Sequence, residues 1–159
     1  MAETAAVRPA SEPGAATIVV GFDRSTASLL ALRAAADLGR RLGARLAVVH
    51  AIDLADYPVD PDAGDWELQA NEALAAERQA VAAELDGYGP GWVHRCLRAP
   101  AGDALARVAE DEDALMIVVG MRQYGLARVV DHLLDPPVSQ QLIRHSGRAV
   151  LVVPERGRP

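Results

Sequence analysis

Two stretches near the C-terminus, ALMIVVG (Ala114 to Gly120) and RAVLVVP (Arg148 to Pro154), are apolar at nearly every position. A strand without a polar face is buried on both sides. That condition is met in a parallel sheet covered by helices, and not in a sheet with one face in water. TIVVGF (Thr17 to Phe22) and RLAVVHA (Arg45 to Ala51) repeat the pattern earlier in the chain. Between such strands the chain must cross over, and the intervening segments carry helical spacing. Ala27, Leu30, Ala31, Ala34, Leu38 and Leu42 mark the apolar stripe of a first helix, and Gly43 suits the left-handed position that ends it. Trp66, Ala70, Leu74, Val81 and Leu85 mark a second helix, which the Gly87 to Gly91 cluster stops.

Trp92 to Arg98 alternates, with Trp92, His94, Cys96 and Arg98 opposed to Val93, Arg95 and Leu97, as expected of a half-exposed strand near a sheet edge. Gly102-Asp103 is expected to cap a third helix through Ala104, Leu105, Val108 and Ala109, before strands at Leu115 to Val119 and Arg148 to Val153. Strand and helix therefore alternate throughout. The fold expected is a single α/β domain over residues 17 to 154, a five-stranded parallel sheet in the order 3-2-1-4-5 with helices on both faces. Residues 1 to 16 and 155 to 159 are expected to be tails.

In such a sheet ligands bind at the carboxyl ends of the strands, where the strand order reverses, here between the first and fourth strands. Asp23 and Gly120 stand at those two ends. Asp23, Ser25 and Thr26 offer side chains to cap the following helix, and Asp23 could equally accept from a ribose hydroxyl or a base amine. Gly120 and Gly125 permit close approach of backbone to a ligand.

Composition narrows the chemistry. A net charge of −6 argues against nucleic acid, which needs a concentrated basic face. All 16 basic residues are Arg, so a phosphate-loop lysine, a Schiff-base lysine and a lysine base are excluded. The longest apolar runs fall well short of a membrane span, and the first 16 residues lack a signal-type apolar stretch. The single Cys96 can form no internal disulfide, and a cytoplasmic location is expected. There is no G-x-S-x-G elbow, and no second carboxylate follows Asp23 as D-x-D. The four histidines are dispersed, with no metal-ligand spacing to Cys, Glu or one another; His50 and His145 read as structural. An enzyme is not expected.

At this point a resemblance becomes specific. IVVGFDRSTAS (Ile18 to Ser28), LAVVHAID (Leu46 to Asp53), AGDALARVAEDEDALMIVVG (Ala101 to Gly120) and SQQLIRHSGRAVLVVP (Ser139 to Pro154) resemble the universal stress protein family, in the family's order and spacing. The resemblance implies a dimer paired through the last strands, here Arg148 to Val153, and a family divided into members that bind ATP or AMP and members that do not. In binders the base lies against positions that here are Gly21, Phe22, Asp23 and Ala51. Binders then hold ribose and phosphates with G-x2-G-x9-G-[ST] after the fourth strand. Here Gly120 matches the first glycine but Gln123 stands at the second, and Pro136 and Pro137 replace the third glycine and its hydroxyl partner.

Proline lacks the N–H that would face a phosphate, and Asp135 adds a negative charge where phosphate would sit. The loop is also about four residues longer than the pattern. Ordinary triphosphate binding is therefore expected to be impaired. Arg122, Tyr124 and Arg128 offer replacement contacts, and Ser25, Val119, Gly125, Val138 and Ser139 complete the candidate set. The expectation is a non-enzymatic, cytoplasmic stress-response protein that requires no cofactor and acts through dimerisation and contacts with an unidentified protein partner. The alternative is an adenine-nucleotide sensor for ATP, AMP or cyclic AMP with a rebuilt loop. Slow nucleotide hydrolysis with Asp23 as base is a third reading.

Overall fold

The computed structural model describes residues 15–52, 66–121 and 138–155, with side chains from 71 onward in the middle span. Its elements are β1 (Thr17–Gly21), α1 (Thr26–Leu42), β2 (Arg45–Ala51), α2 (Trp66–Glu84), β3 (Trp92–Leu97), α3 (Ala101–Asp111), β4 (Met116–Met121), α4 (Val138–His145) and β5 (Ala149–Pro154). All pairings are parallel and the strand order is β3-β2-β1-β4-β5, as the apolar strands require.

Strand parity divides the core into two layers. Ile18, Val20, Leu46, Val48 and Val118 face α1 and α2, packing on Ala31, Leu32, Ala35, Val81 and Leu85. Val19, Ala47, Val49, Ile117 and Val119 face the other way, onto Ala104, Leu105, Val108 and Leu142 of α3 and α4. Helices thus cover both faces, which is why the middle positions of the central strands are apolar and polar residues stand at their ends, Thr17 in β1 and Arg45 and His50 in β2. β3, at the edge, is only partly buried, and its burial does not follow the expected alternation: His94 is buried and Cys96 exposed, although both lie on one face.

Local signals account for the element ends. Ser25 caps α1, its hydroxyl accepting from Ser28 N–H at 3.2 Å. Gly43 closes the helix at φ 63°, a left-handed position that suits glycine. Two expectations need correction. The buried stripe of α1 is Ala27, Ala31, Leu32, Ala35, Ala36 and Gly39, rotated from the expected one, and Leu42 is 51% exposed. Small residues let the helix lie close to the sheet, and Gly39 leaves space for the buried Tyr88, whose hydroxyl donates to Ala44 O. In α3, Pro100 holds the cap position without a side-chain bond, and Gly102-Asp103 lies inside the first turn. There Asp103 complements the helix dipole, while Gly102 makes room for Gln141 of α4.

Glu112, following α3, accepts from both Arg45 of β2 and Arg95 of β3. Together with the bond from Arg45 Nε to Thr17 Oγ1 at 2.9 Å, it fastens β1, β2, β3 and α3 to one another.

Candidate functional site

The switch point is built from the carboxyl ends of β1 and β4. β1 stops at Gly21 because the chain turns there: Phe22 N–H still bonds Val49 O at 2.9 Å, and Arg24 then takes φ 65°. The Phe22 side chain is buried in the layer under α1 and α2, so only its backbone faces the turn. Asp23 is exposed, and its Oδ1 accepts from Ser25 N–H at 3.0 Å and from the Ser25 hydroxyl. Asp23 N–H in turn donates to Ser28 Oγ at 3.2 Å. The residues around Asp23 therefore form a hydrogen-bonded turn fused to the helix cap, with the carboxylate at its rim.

β4 brings Gly120 against this turn. A methyl group at Gly120 would overlap the carbonyl of Ala27 and lie 2.8 Å from Ser28 N. The missing side chain is what lets β4 end so close to the first turn of α1. Gly21 is also confined, since its methyl would lie 3.3 Å from Leu105 and 3.6 Å from Val119. Val119 itself is core, 5% exposed.

Of the sequence-predicted residues, the structure thus brings Gly21, Phe22, Asp23, Ser25 and Gly120 together. Ala51 ends the neighbouring strand β2, paired with Leu97. Val138 and Ser139 open α4, where Val138 packs on the α3 side of the core. Arg122, Gln123, Tyr124, Gly125 and Arg128, with Asp135 to Pro137, lie outside the described residues. Apart from this site, an open groove of about 260 Å³ runs between α3 and α4, lined by Gly102, Asp103, Gln141 and His145.

Sequence reasoning missed a polar cluster directly beneath the turn. Glu77 of α2 is 3% exposed, on the same stripe as Val81 and Leu85. Its Oε2 lies 2.8 Å from His50 Nδ1 and its Oε1 lies 2.9 Å from His94 Nε2. His50 Nδ1 is also 3.2 Å from Phe22 O, and His94 Nδ1 is 3.8 Å from Cys96 Sγ. Because both oxygen partners are acceptors, the His50 proton is assigned to Nδ1, and the His94 proton facing Glu77 to Nε2.

The hydrogen bond that His50 donates to Glu77 raises the His50 pKa above its ordinary value, against the opposing effect of burial. Burial pushes the Glu77 carboxyl up, but the bonds from His50 and His94 outweigh it and the net shift is downward. Burial, followed by the nearby Glu77 charge, pushes the Cys96 thiol up to about 11. One signal was available in the sequence. Glu77 stands three residues after Leu74 and four before Val81, inside an apolar stripe where a carboxylate must find donors.

The comparisons with known proteins agree with this architecture. A sequence profile of the universal stress protein family matches residues 15–154. The chain belongs to the universal stress protein family. Among solved structures it is similar to a universal stress protein in complex with cyclic AMP, at 24% identity and TM-score 0.66, covering 87% of this chain and 96% of that one. A universal stress family protein from Burkholderia pseudomallei is 25% identical, with TM-score 0.64 and coverage of 88% and 96%. The universal stress protein from Archaeoglobus fulgidus in complex with dAMP is 20% identical, with TM-score 0.58 and coverage of 87% and 97%. No functionally curated protein matches the chain in sequence.

Proposed function

We propose that this universal stress protein is a non-enzymatic stress-response module that keeps the nucleoside half of the family's adenine-nucleotide site and has lost its triphosphate grip. The observation that carries this reading is the turn at Asp23, closed against Gly120 at the carboxyl ends of β1 and β4. Its exposed rim carboxylate can accept from a ribose hydroxyl or a base amine. The phosphate side differs: Gln123 and Pro136 stand in place of two glycines and Pro137 in place of a hydroxyl residue, and the two prolines remove N–H donors where phosphates would lie. Mononucleotides need fewer of those donors than ATP. Fold relatives in complex with cyclic AMP and dAMP support that ligand class.

In this reading the protein binds AMP or cyclic AMP as a signal, does not turn over ATP, and transmits its state through protein contacts. β5 supports a homodimer: it pairs with β4 alone within the described sheet, and it exposes Leu151. An apolar edge strand of this kind associates unless it is covered. The stretch after Gly120 contains no lysine, and Pro136 and Pro137 carry no N–H, so Asp23 is given no part in hydrolysis.

Thermal unfolding with 1 mM cyclic AMP, AMP or ATP tests the reading. A ligand at about 100-fold excess over its Kd adds about 2.7 kcal/mol, or roughly 5–10 °C for a domain of this size. The expected result is a shift with cyclic AMP or AMP that exceeds the shift with ATP and disappears in Asp23→Ala. A larger shift with ATP would refute the loss of triphosphate grip. No shift with any of the three would leave the protein-contact role alone.

A further inference from the structure

The Glu77 cluster touches the candidate site at one atom. β1 ends at Gly21, and the next carbonyl, that of Phe22, is met by His50 Nδ1 at 3.2 Å. Phe22 is followed directly by Asp23, so whatever fixes this carbonyl fixes the entry to the turn. The same Nδ1 is 2.8 Å from Glu77 Oε2. One N–H therefore serves two acceptors, the carboxylate that orients the ring and the carbonyl that the ring holds. His94 occupies the other carboxylate oxygen and prevents Glu77 from rotating away.

We infer that Glu77 is a positioning residue for the nucleoside side of the crevice, acting through His50 on the Phe22 carbonyl, and that the three form a proton-responsive latch. Its functional meaning rests on the nucleotide-site reading above, although the latch exists without ligand. When His50 is protonated, both ring nitrogens carry hydrogen, and Nδ1 can only donate. The imidazolium pairs with the Glu77 charge and grips the carbonyl more strongly. When the proton leaves Nε2, the ring is neutral. The two facing acceptors keep the remaining proton on Nδ1, but this neutral donor grips the carboxylate and the Phe22 carbonyl more weakly than the imidazolium does.

Among the described residues, the groups facing this equilibrium are few. They are Glu77 from α2, His94 and the Cys96 thiol from β3, and the Asp23 carboxylate from the turn itself. Both carboxylates favour the protonated ring. The latch is therefore tightest while His50 is protonated and Glu77 ionised, and it loosens as the pH rises through the His50 titration. A loosened latch leaves the turn less ordered and weakens nucleoside binding.

The test uses the full chain and two readouts. The His50 ring nitrogens and the Phe22 carbonyl carbon are followed by NMR from pH 5 to 9 in the wild type, Glu77→Gln and, to isolate the rim charge, Asp23→Asn. Cyclic AMP affinity is measured in parallel at pH 6 and pH 8.5, since its phosphodiester holds one charge across that range. The latch predicts that Phe22 follows the His50 titration, that this titration lies above that of an ordinary histidine, and that Glu77→Gln lowers it and uncouples Phe22. Cyclic AMP should bind about fivefold or more tightly at pH 6, a typical coupling between linked sites, and Glu77→Gln should flatten that difference.

A Phe22 signal indifferent to His50 overturns the latch, and so does a His50 titration unchanged by Glu77→Gln. Should that variant fail to fold, the wild-type comparison of Phe22 with His50 still decides. Linked NMR titrations without cyclic AMP binding at either pH would keep the latch and overturn the nucleotide reading instead.

Discussion

Replacing Gly120 by alanine separates two jobs that one glycine could hold. In the family pattern this position opens the nucleotide loop, which suggests that the missing side chain serves a ligand. The structure shows a different constraint, because the added methyl would overlap the Ala27 carbonyl and sit 2.8 Å from Ser28 N, where ordinary van der Waals contact begins near 3.4 Å. Neither obstacle is a flexible side chain. Both are backbone in the first turn of a helix whose cap is fixed by Ser25 and whose approach is fixed by Asp23 N–H on Ser28 Oγ. The helix end must retreat or β4 must bend.

Overpacking of this kind costs about 1–3 kcal/mol. At about 2–4 °C per kcal/mol for a domain of this length, the loss is about 2–12 °C in Tm. Differential scanning calorimetry of the ligand-free Gly120→Ala variant reads it directly. A Tm within about 1 °C of wild type, the cost of a neutral surface change, would refute the packing argument. Lost cyclic AMP binding at unchanged Tm would return Gly120 to a purely ligand-facing role.

Four further outcomes are expected. Ser25→Ala removes the α1 cap and should cost about 0.5–2 kcal/mol in denaturant unfolding, loosening the Asp23 turn that the same hydroxyl braces. Stability should vary with pH in a defined sense. The His50 contribution is complete below pH 6.5 and fades as pH rises through its raised folded value. The Glu77 contribution is complete above pH 4.5 and fades as pH falls through its lowered folded value. Urea unfolding should thus show the cluster most stabilising between these limits, and Glu77→Gln should flatten the profile. Cys96 is exposed, but with its thiol pushed up to about 11 it should react with iodoacetamide at pH 7.5 at least several-fold more slowly than an ordinary thiol of pKa about 8.5, and an equal rate would refute the shift. Leu151→Glu should convert a sedimenting dimer to a monomer with nearly unchanged stability, and a wild-type monomer at micromolar concentration would remove β5 as an interface.

Much of this architecture is local in origin. Apolar runs such as IVV and AVV compel burial on both faces, and Gly43 and the Gly87 to Gly91 cluster end helices through backbone conformations that glycine tolerates. From those features follow the parallel sheet, the strand order and the place of Asp23 and Gly120 at the switch point. The period of two along a strand even places His50 on the same face as Leu46 and Val48, and His94 on the same face as Trp92 and Cys96.

What no sequence window contains is register. Val48 pairs with His94 and His50 with Cys96, which sets the two imidazoles on neighbouring strands and one face. The packing of α2 on that face then lowers Glu77 between them. The same holds at Gly120, where sequence motif spacing pointed to a ligand and the packing of β4 on α1 supplied a second reason for glycine. Local periodicity decides which way a side chain points. Which partner it meets is decided by the long-range pairing of strands and the seating of helices, where the cost of burying one carboxylate is met by two histidines 27 and 17 residues away in sequence.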